Sequence, residues 1–147
     1  MKPLLASLVL ALFLAGPAVA QDVRLSCLRG EALSEADLGK GVTIIVVWAS
    51  WSPRSRDIVE RVNPLAARWN GRARVLTVNF QEDRSAVDGF LAGKNLSVPV
   101  CLDVDGSFSK KYNVATLPGL LVVKDGQVAY RGKLPENPDS VIADLLR

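Results

Sequence analysis

The sequence predicts one α/β domain, three layers deep, with a central mixed sheet. Three observations carry that prediction. Val42-Thr43-Ile44-Ile45-Val46-Val47-Trp48 is a β-branched run too apolar to be half-exposed, so it reads as a strand buried on both faces. Strand-like and helix-like periods then alternate, as in parallel strands joined by right-handed crossovers. Near the end, Asp125-Gly126 is a strong hairpin signal, so the sheet finishes antiparallel. A chain of 147 residues, 49% hydrophobic and 22% charged, is one domain's worth.

Residues 1–20 stand apart and read as a secretory signal peptide. Lys2 supplies the positive end, Leu4 to Leu14 the apolar run, Gly16-Pro17 the break and Ala18-Val19-Ala20 the cleavage site. The run is short of the roughly 20 residues a membrane span needs. The folded domain is therefore expected over 21–147, periplasmic or secreted, in a compartment where disulfides persist. The membrane is met only through the peptide before cleavage. A charge of +3 without a Lys or Arg run argues against a nucleic-acid partner. The chain has no His, which removes the commonest transition-metal ligand and the usual catalytic base. No metal and no cofactor are expected.

In chain order, Asp22 to Glu31 alternates through Val23, Leu25 and Cys27 and turns at Arg29-Gly30, an N-terminal strand or hairpin. Ser34 to Asp37 has the form of a capping box opening a short helical turn. The buried strand 42–48 follows. Ser52 is placed to cap a helix and Pro53 to occupy its first position. That helix carries Ile58, Val59, Val62, Leu65, Ala66 and Trp69 at helical spacing, with Pro64 expected to kink it or end its first half. Ala73 to Phe80 reads as a strand, Asp83 as the cap of a second helix, and Ser97 to Asp103 as a third strand. Phe108 to Tyr112 is a short helix. Two hairpin strands flank Asp125-Gly126, and Asn137-Pro138 opens a last helix with Val141, Ile142 and Leu145 inward.

Trp48-Ala49-Ser50-Trp51, after a hydrophobic strand and before a helix start, resembles the active-site segment of thioredoxin-fold proteins. It is most similar to the TlpA/ResA-like thiol-disulfide oxidoreductases of the bacterial cell envelope. Their pattern continues Cys-x-x-Cys. Here Ser52 and Ser55 hold both cysteine positions. The resemblance covers nearly all of the mature chain and implies a thioredoxin-like fold with an N-terminal hairpin and an inserted helix–strand unit. The inserted strand in relatives often ends in Asp followed by Asp-Gly, as Asp103 to Gly106 does. The resemblance further implies a cis Pro118 facing the site, Leu117 as a backbone able to pair with an extended peptide, and Trp51 at the site surface. Thioredoxins keep a buried acid six residues before the first cysteine, where this chain has Val46.

The family's chemistry needs a thiolate, so the segment Ser52, Pro53, Arg54, Ser55 is expected to be a degenerate site. It reads as a helix cap left after loss of the cysteines, or as a remodelled site in which hydroxyls and Arg54 meet an anion at a helix N-terminus. A nucleophilic serine needs a base within reach, and only a Ser-Lys dyad through Lys40 suggests itself. Cys27 and Cys101 remain open between a structural disulfide, two buried thiols and a relocated redox pair.

The expected function is a non-redox module that holds an envelope protein or extended peptide by Trp51, Leu117 and Pro118. The alternative is a thiol-disulfide oxidoreductase acting through Cys27 or Cys101, or through a partner's cysteines. A third reading, serines engineered into a Cys-x-x-Cys enzyme, sits poorly with a retained signal peptide.

Overall fold

A computed structural model describes residues 22–147. The expected signal peptide lies outside the described residues. The elements are β1 (Arg24–Cys27), β2 (Leu33–Ser34), β3 (Val42–Trp48), α1 (Ile58–Trp69), β4 (Arg74–Phe80), α2 (Arg84–Leu91), β5 (Val100–Asp103), α3 (Ser107–Lys111), β6 (Gly119–Lys124), β7 (Gln127–Lys133) and α4 (Pro138–Leu145). Short 3-10 turns cover Glu35–Gly39 and Pro53–Ser55.

One mixed sheet runs in the order β2-β1-β5-β4-β3-β6-β7. β3, β4 and β5 are parallel, while β1 joins β5 and β6 joins β3 in antiparallel pairing. The central strand divides its side chains by the two-residue period of a strand. Ile44, Val46 and Trp48 enter one apolar cluster with Ile58, Val62, Leu65 and Trp69 of α1 and Ile142 of α4. Ile45 and Val47 enter a second cluster on the other face, with Leu25, Cys101, Phe108 and Leu121. That is the three-layer arrangement: helices α1, α2 and α4 on one side, and α3 with the 3-10 turn Glu35–Gly39 on the other. The inserted unit is α2 and β5.

Two local expectations are narrowed and one is met. Pro64 neither ends nor divides α1, which runs unbroken from Ile58 to Trp69 with the proline inside. Pro64 is exposed, so the freed carbonyl of Glu60, one turn earlier, faces the solvent side of the helix. The third strand is shorter than 97–103, because the extended approach through Pro99 pairs only by its carbonyl, which accepts from Thr77 N–H at 2.9 Å. The expected capping box is present at Ser34 and Asp37. One carboxylate oxygen accepts Ser34 N–H at 2.7 Å and Ser34 Oγ–H at 2.9 Å.

The hairpin turn is as the Asp-Gly pair requires. Asp125 and Gly126 both have positive φ, 48° and 81°, the backbone of a type I′ turn. Asp83 caps α2, accepting Ala86 N–H at 2.8 Å.

Candidate functional site

Pairing in the sheet builds the site. β3 and β6 are antiparallel with Val47 opposite Gly119. The chain leaving β3 therefore runs alongside the chain entering β6, and residues 49–55 meet residues 114–118. Gly119 lets the 116–119 turn fold close on itself, since a Cβ there would stand 2.8 Å from the Thr116 carbonyl oxygen. The Leu117–Pro118 peptide bond is cis.

The space between the two segments is an open cleft of about 550 Å³. Trp51, Phe80, Val114 and Leu117 give it apolar walls, and Ser52, Pro53 and Arg54 close one side. Trp51 is 61% exposed, while Trp48 is fully buried. Burying the first tryptophan and presenting the second follows from strand parity and the turn between them. The backbone N–H and C=O groups of Thr116 and Leu117 make no hydrogen bond among the described residues. They line the cleft as unpaired main chain.

Ser52 and Ser55 lie together, at the cap and the third residue of the 3-10 turn, with Ser55 N–H donating to the Ser52 carbonyl at 2.9 Å. The expected side-chain cap is absent: the Ser52 hydroxyl accepts no backbone N–H. The regular helix starts only at Ile58, so the cap governs a single turn. Ser55 is completely buried, and its Oγ has no hydrogen-bond partner. Arg54 is exposed. Lys40 stands before β3 and Ser52 after it, about 23 Å apart for seven residues of strand, so the Ser-Lys dyad does not form. Val46, at the position of the thioredoxin acid, packs in the α1 cluster.

Sequence reasoning missed Glu82. Its side chain is 9% exposed, and it accepts Ser50 N–H at 2.8 Å, Asn79 Nδ2–H at 2.7 Å and the Ser50 hydroxyl. This carboxylate holds the turn between β3 and Ser52 from the end of β4. Only the topology brings residue 82 to residue 50, and no local motif announces it.

Cys27 and Cys101 are not in the cleft. They are opposed across β1 and β5 and joined by a disulfide. Cys101 is fully buried and Cys27 half-buried. They pack in the cluster that also receives Phe80, Val114 and Leu117 of the cleft wall. Next to that wall, burial pushes the Tyr112 phenol above its usual range, with the Glu35 charge adding to it. Glu35 itself is held below the usual carboxylate range by its bond to Lys111. Asp103, fully buried, fixes α3 by accepting Phe108 N–H, Ser109 N–H and Ser109 Oγ–H at 3.0, 2.9 and 2.7 Å.

A mixed sheet between helix layers, with an exposed Trp at a strand-to-helix turn facing a cis-proline loop, defines a thioredoxin-like protein. The Redoxin family model matches residues 15–146, and the chain belongs to the Redoxin family. Among solved structures, one similar fold is a protein of Chlorobium tepidum assigned as thiol:disulfide interchange protein DsbE. It is 23% identical, with 87% of this chain and 95% of that chain covered and a TM-score of 0.73. StoA of Bacillus subtilis is also 23% identical, with 85% and 96% covered and a TM-score of 0.67. The exposed lipoprotein thioredoxin of Streptococcus pneumoniae is 18% identical, with 85% and 98% covered and a TM-score of 0.73.

Proposed function

We propose that this chain is an envelope protein of the thiol-disulfide oxidoreductase class that holds an extended protein segment in the Trp51 cleft. Its sulfur chemistry resides in Cys27–Cys101 or in cysteines of the held protein. Positions 52 and 55 are read as the places of a Cys-x-x-Cys pair, occupied by serine, so no exchange runs through them. The observation that carries the reading is the Cys27–Cys101 disulfide in a Redoxin-family chain. It weighs against a domain that has left redox chemistry altogether. The envelope location is supported by the signal-peptide pattern of residues 1–20 and by the pneumococcal neighbour's description as an exposed lipoprotein.

The exchange step balances as follows. A donor thiolate bonds to the half-buried Cys27 sulfur, and the Cys27–Cys101 bond breaks, releasing Cys101 as thiolate. The donor's second thiol attacks the mixed disulfide, so the donor leaves as a disulfide and the pair is left as two thiols. The test is reaction of the folded protein with a dithiol peptide, followed by trapping of free thiols. Both cysteines trapped in folded protein, and peptide oxidised in equal amount, is the expected result. A bridge that opens only on denaturation would sink the exchange through Cys27–Cys101.

A second reading, a binding module without redox chemistry, is favoured by one observation: Cys101 is fully buried, and neither cysteine lines the cleft. It predicts the unreactive bridge together with retained peptide binding.

A further inference from the structure

Two clefts meet at the site and share Pro53, Arg54, Thr116 and Leu117 as a common wall. The second, of about 350 Å³, continues along Arg56, Arg61 and Pro118 to Lys133. Its charges are Arg54, Arg56, Arg61 and Lys133 against Asp57 and Glu136, four positive and two negative. Arg61 is already committed, donating to the Pro135 carbonyl at 2.9 Å and the Leu134 carbonyl at 3.3 Å. Arg54, Arg56 and Lys133 are exposed. The ion pairs among the described residues lie elsewhere, at Arg84–Asp88, Lys111–Glu35 and Arg147–Asp144. Three exposed cations and the exposed carboxylates of Asp57 and Glu136 thus border a cleft beside an apolar one, a net positive balance once Arg61 is set aside, and the unpaired main chain of Thr116 and Leu117 belongs to the wall between them.

An extended chain pairing with that main chain sends alternate side chains to opposite sides. One side meets Trp51, Phe80 and Val114, and the other meets the cations. We propose that the occupant is a segment of a partner protein with an apolar side chain flanked on either side by an acidic residue. The apolar side chain fills the first cleft, and the carboxylates lie along Arg54, Arg56 and Lys133. This rests on reading the first cleft as a protein-binding groove and names the chemistry of what it takes. Exposed ion pairs add little affinity each. Their larger effect is selection against neutral and basic segments and a faster, salt-sensitive encounter.

The test uses Trp51 emission as the reporter and two synthetic peptides, one with a single leucine next to glutamates and one with glutamines in their place. At low salt the glutamate peptide is expected to bind about tenfold more tightly. The advantage shrinks as salt screens the exposed charges. In the Arg56→Gln, Lys133→Gln double variant both peptides are expected to bind alike. Equal affinity for the two peptides in the unaltered protein overturns the acidic-segment inference and leaves the groove reading standing. A preference that survives in the double variant places the carboxylates elsewhere and also overturns it. Binding of neither peptide, or a cleft filled by a second copy of the chain as a dimer, overturns the groove reading itself.

Discussion

Ser55→Ala is expected to stabilise the protein, although a serine lost from a site usually costs stability. The Ser55 hydroxyl is fully buried and unpartnered. Mutational data put the cost of burying such a group at about 1–3 kcal/mol. Removing one oxygen leaves a small void, with a cavity term on the order of 0.3 kcal/mol. The balance is a gain of about 1 kcal/mol, or about 3–5 °C in Tm for a domain of this size. Urea unfolding is the assay, with an unchanged m value showing that the midpoint shift is a stability change. Ser52→Ala is the control. Ser52 is buried, but its hydroxyl caps nothing and is not among the buried unpartnered atoms, so a smaller change than at Ser55 is expected. If Ser55→Ala instead loses about 1 kcal/mol, the hydroxyl is satisfied in the folded protein. The view of position 55 as a pocket better suited to a less polar group then fails.

Four further outcomes follow from the same geometry. In the Ser52→Cys, Ser55→Cys double variant a disulfide is expected to close under mild oxidant, because the Ser55 N–H to Ser52 carbonyl bond closes a turn that keeps the two Cα atoms within about 7 Å; thiol counting before and after oxidation reads it. Cys27→Ser with Cys101→Ser opens a loop with sequence separation 74, and denaturant unfolding should show a loss of up to about 4 kcal/mol in the chain-entropy model. Glu82→Gln can keep both N–H bonds on its amide oxygen and donate its NH2 to the Ser50 hydroxyl, so it removes only the charge assistance of these bonds; a loss of about 1 kcal/mol and a shifted Trp51 emission are expected. Glu35, Asp37 and Asp105 are all held below the usual carboxylate range, by Lys111, the Ser34 N–H and the Ser107 N–H respectively. Their folded values lie below the unfolded ones, so their contribution is present above about pH 4 and is lost as pH falls through the folded values. Tm should be flat at neutral pH and decline in acid, and no acid decline would refute this.

What was legible in the sequence was what repeats or what a single residue imposes. The buried run at Val42–Trp48 had to lie in the middle of the sheet because both of its faces are apolar, and β4 and β6 flank it. Asp125-Gly126 had to turn, since few other pairs accept two positive φ values. The helices announced their buried faces through Ile58, Val62, Leu65 and Trp69. Pro64 did not end the helix because helix propensity is a weak prior once a face is held by packing. Buried Ile58, Val62, Leu65 and Trp69 hold one face of α1 in the core cluster, and the proline is exposed.

The site was legible only where residues were close in sequence or carried by a resemblance. Trp51 and Ser52 to Ser55 form one segment, and Leu117-Pro118 another. That they face one another depends on the Val47–Gly119 register, which no local pattern encodes. The same limit applied to the cysteines. Alternation placed both on strands but left their adjacency open, and the Cys27–Cys101 register across β1 and β5 closed the question. Glu82 shows the limit most plainly. A Glu after a strand is ordinarily a solvated turn residue. It becomes part of the site only because parallel pairing sets Asn79 beside Trp48, so that the turns leaving β3 and β4 emerge side by side. A carboxylate in the second turn then finds the orphan N–H and hydroxyl of Ser50 in the first. Glu82 thereby holds in place the turn that presents Trp51, although nothing within ten residues of Trp51 hints at it.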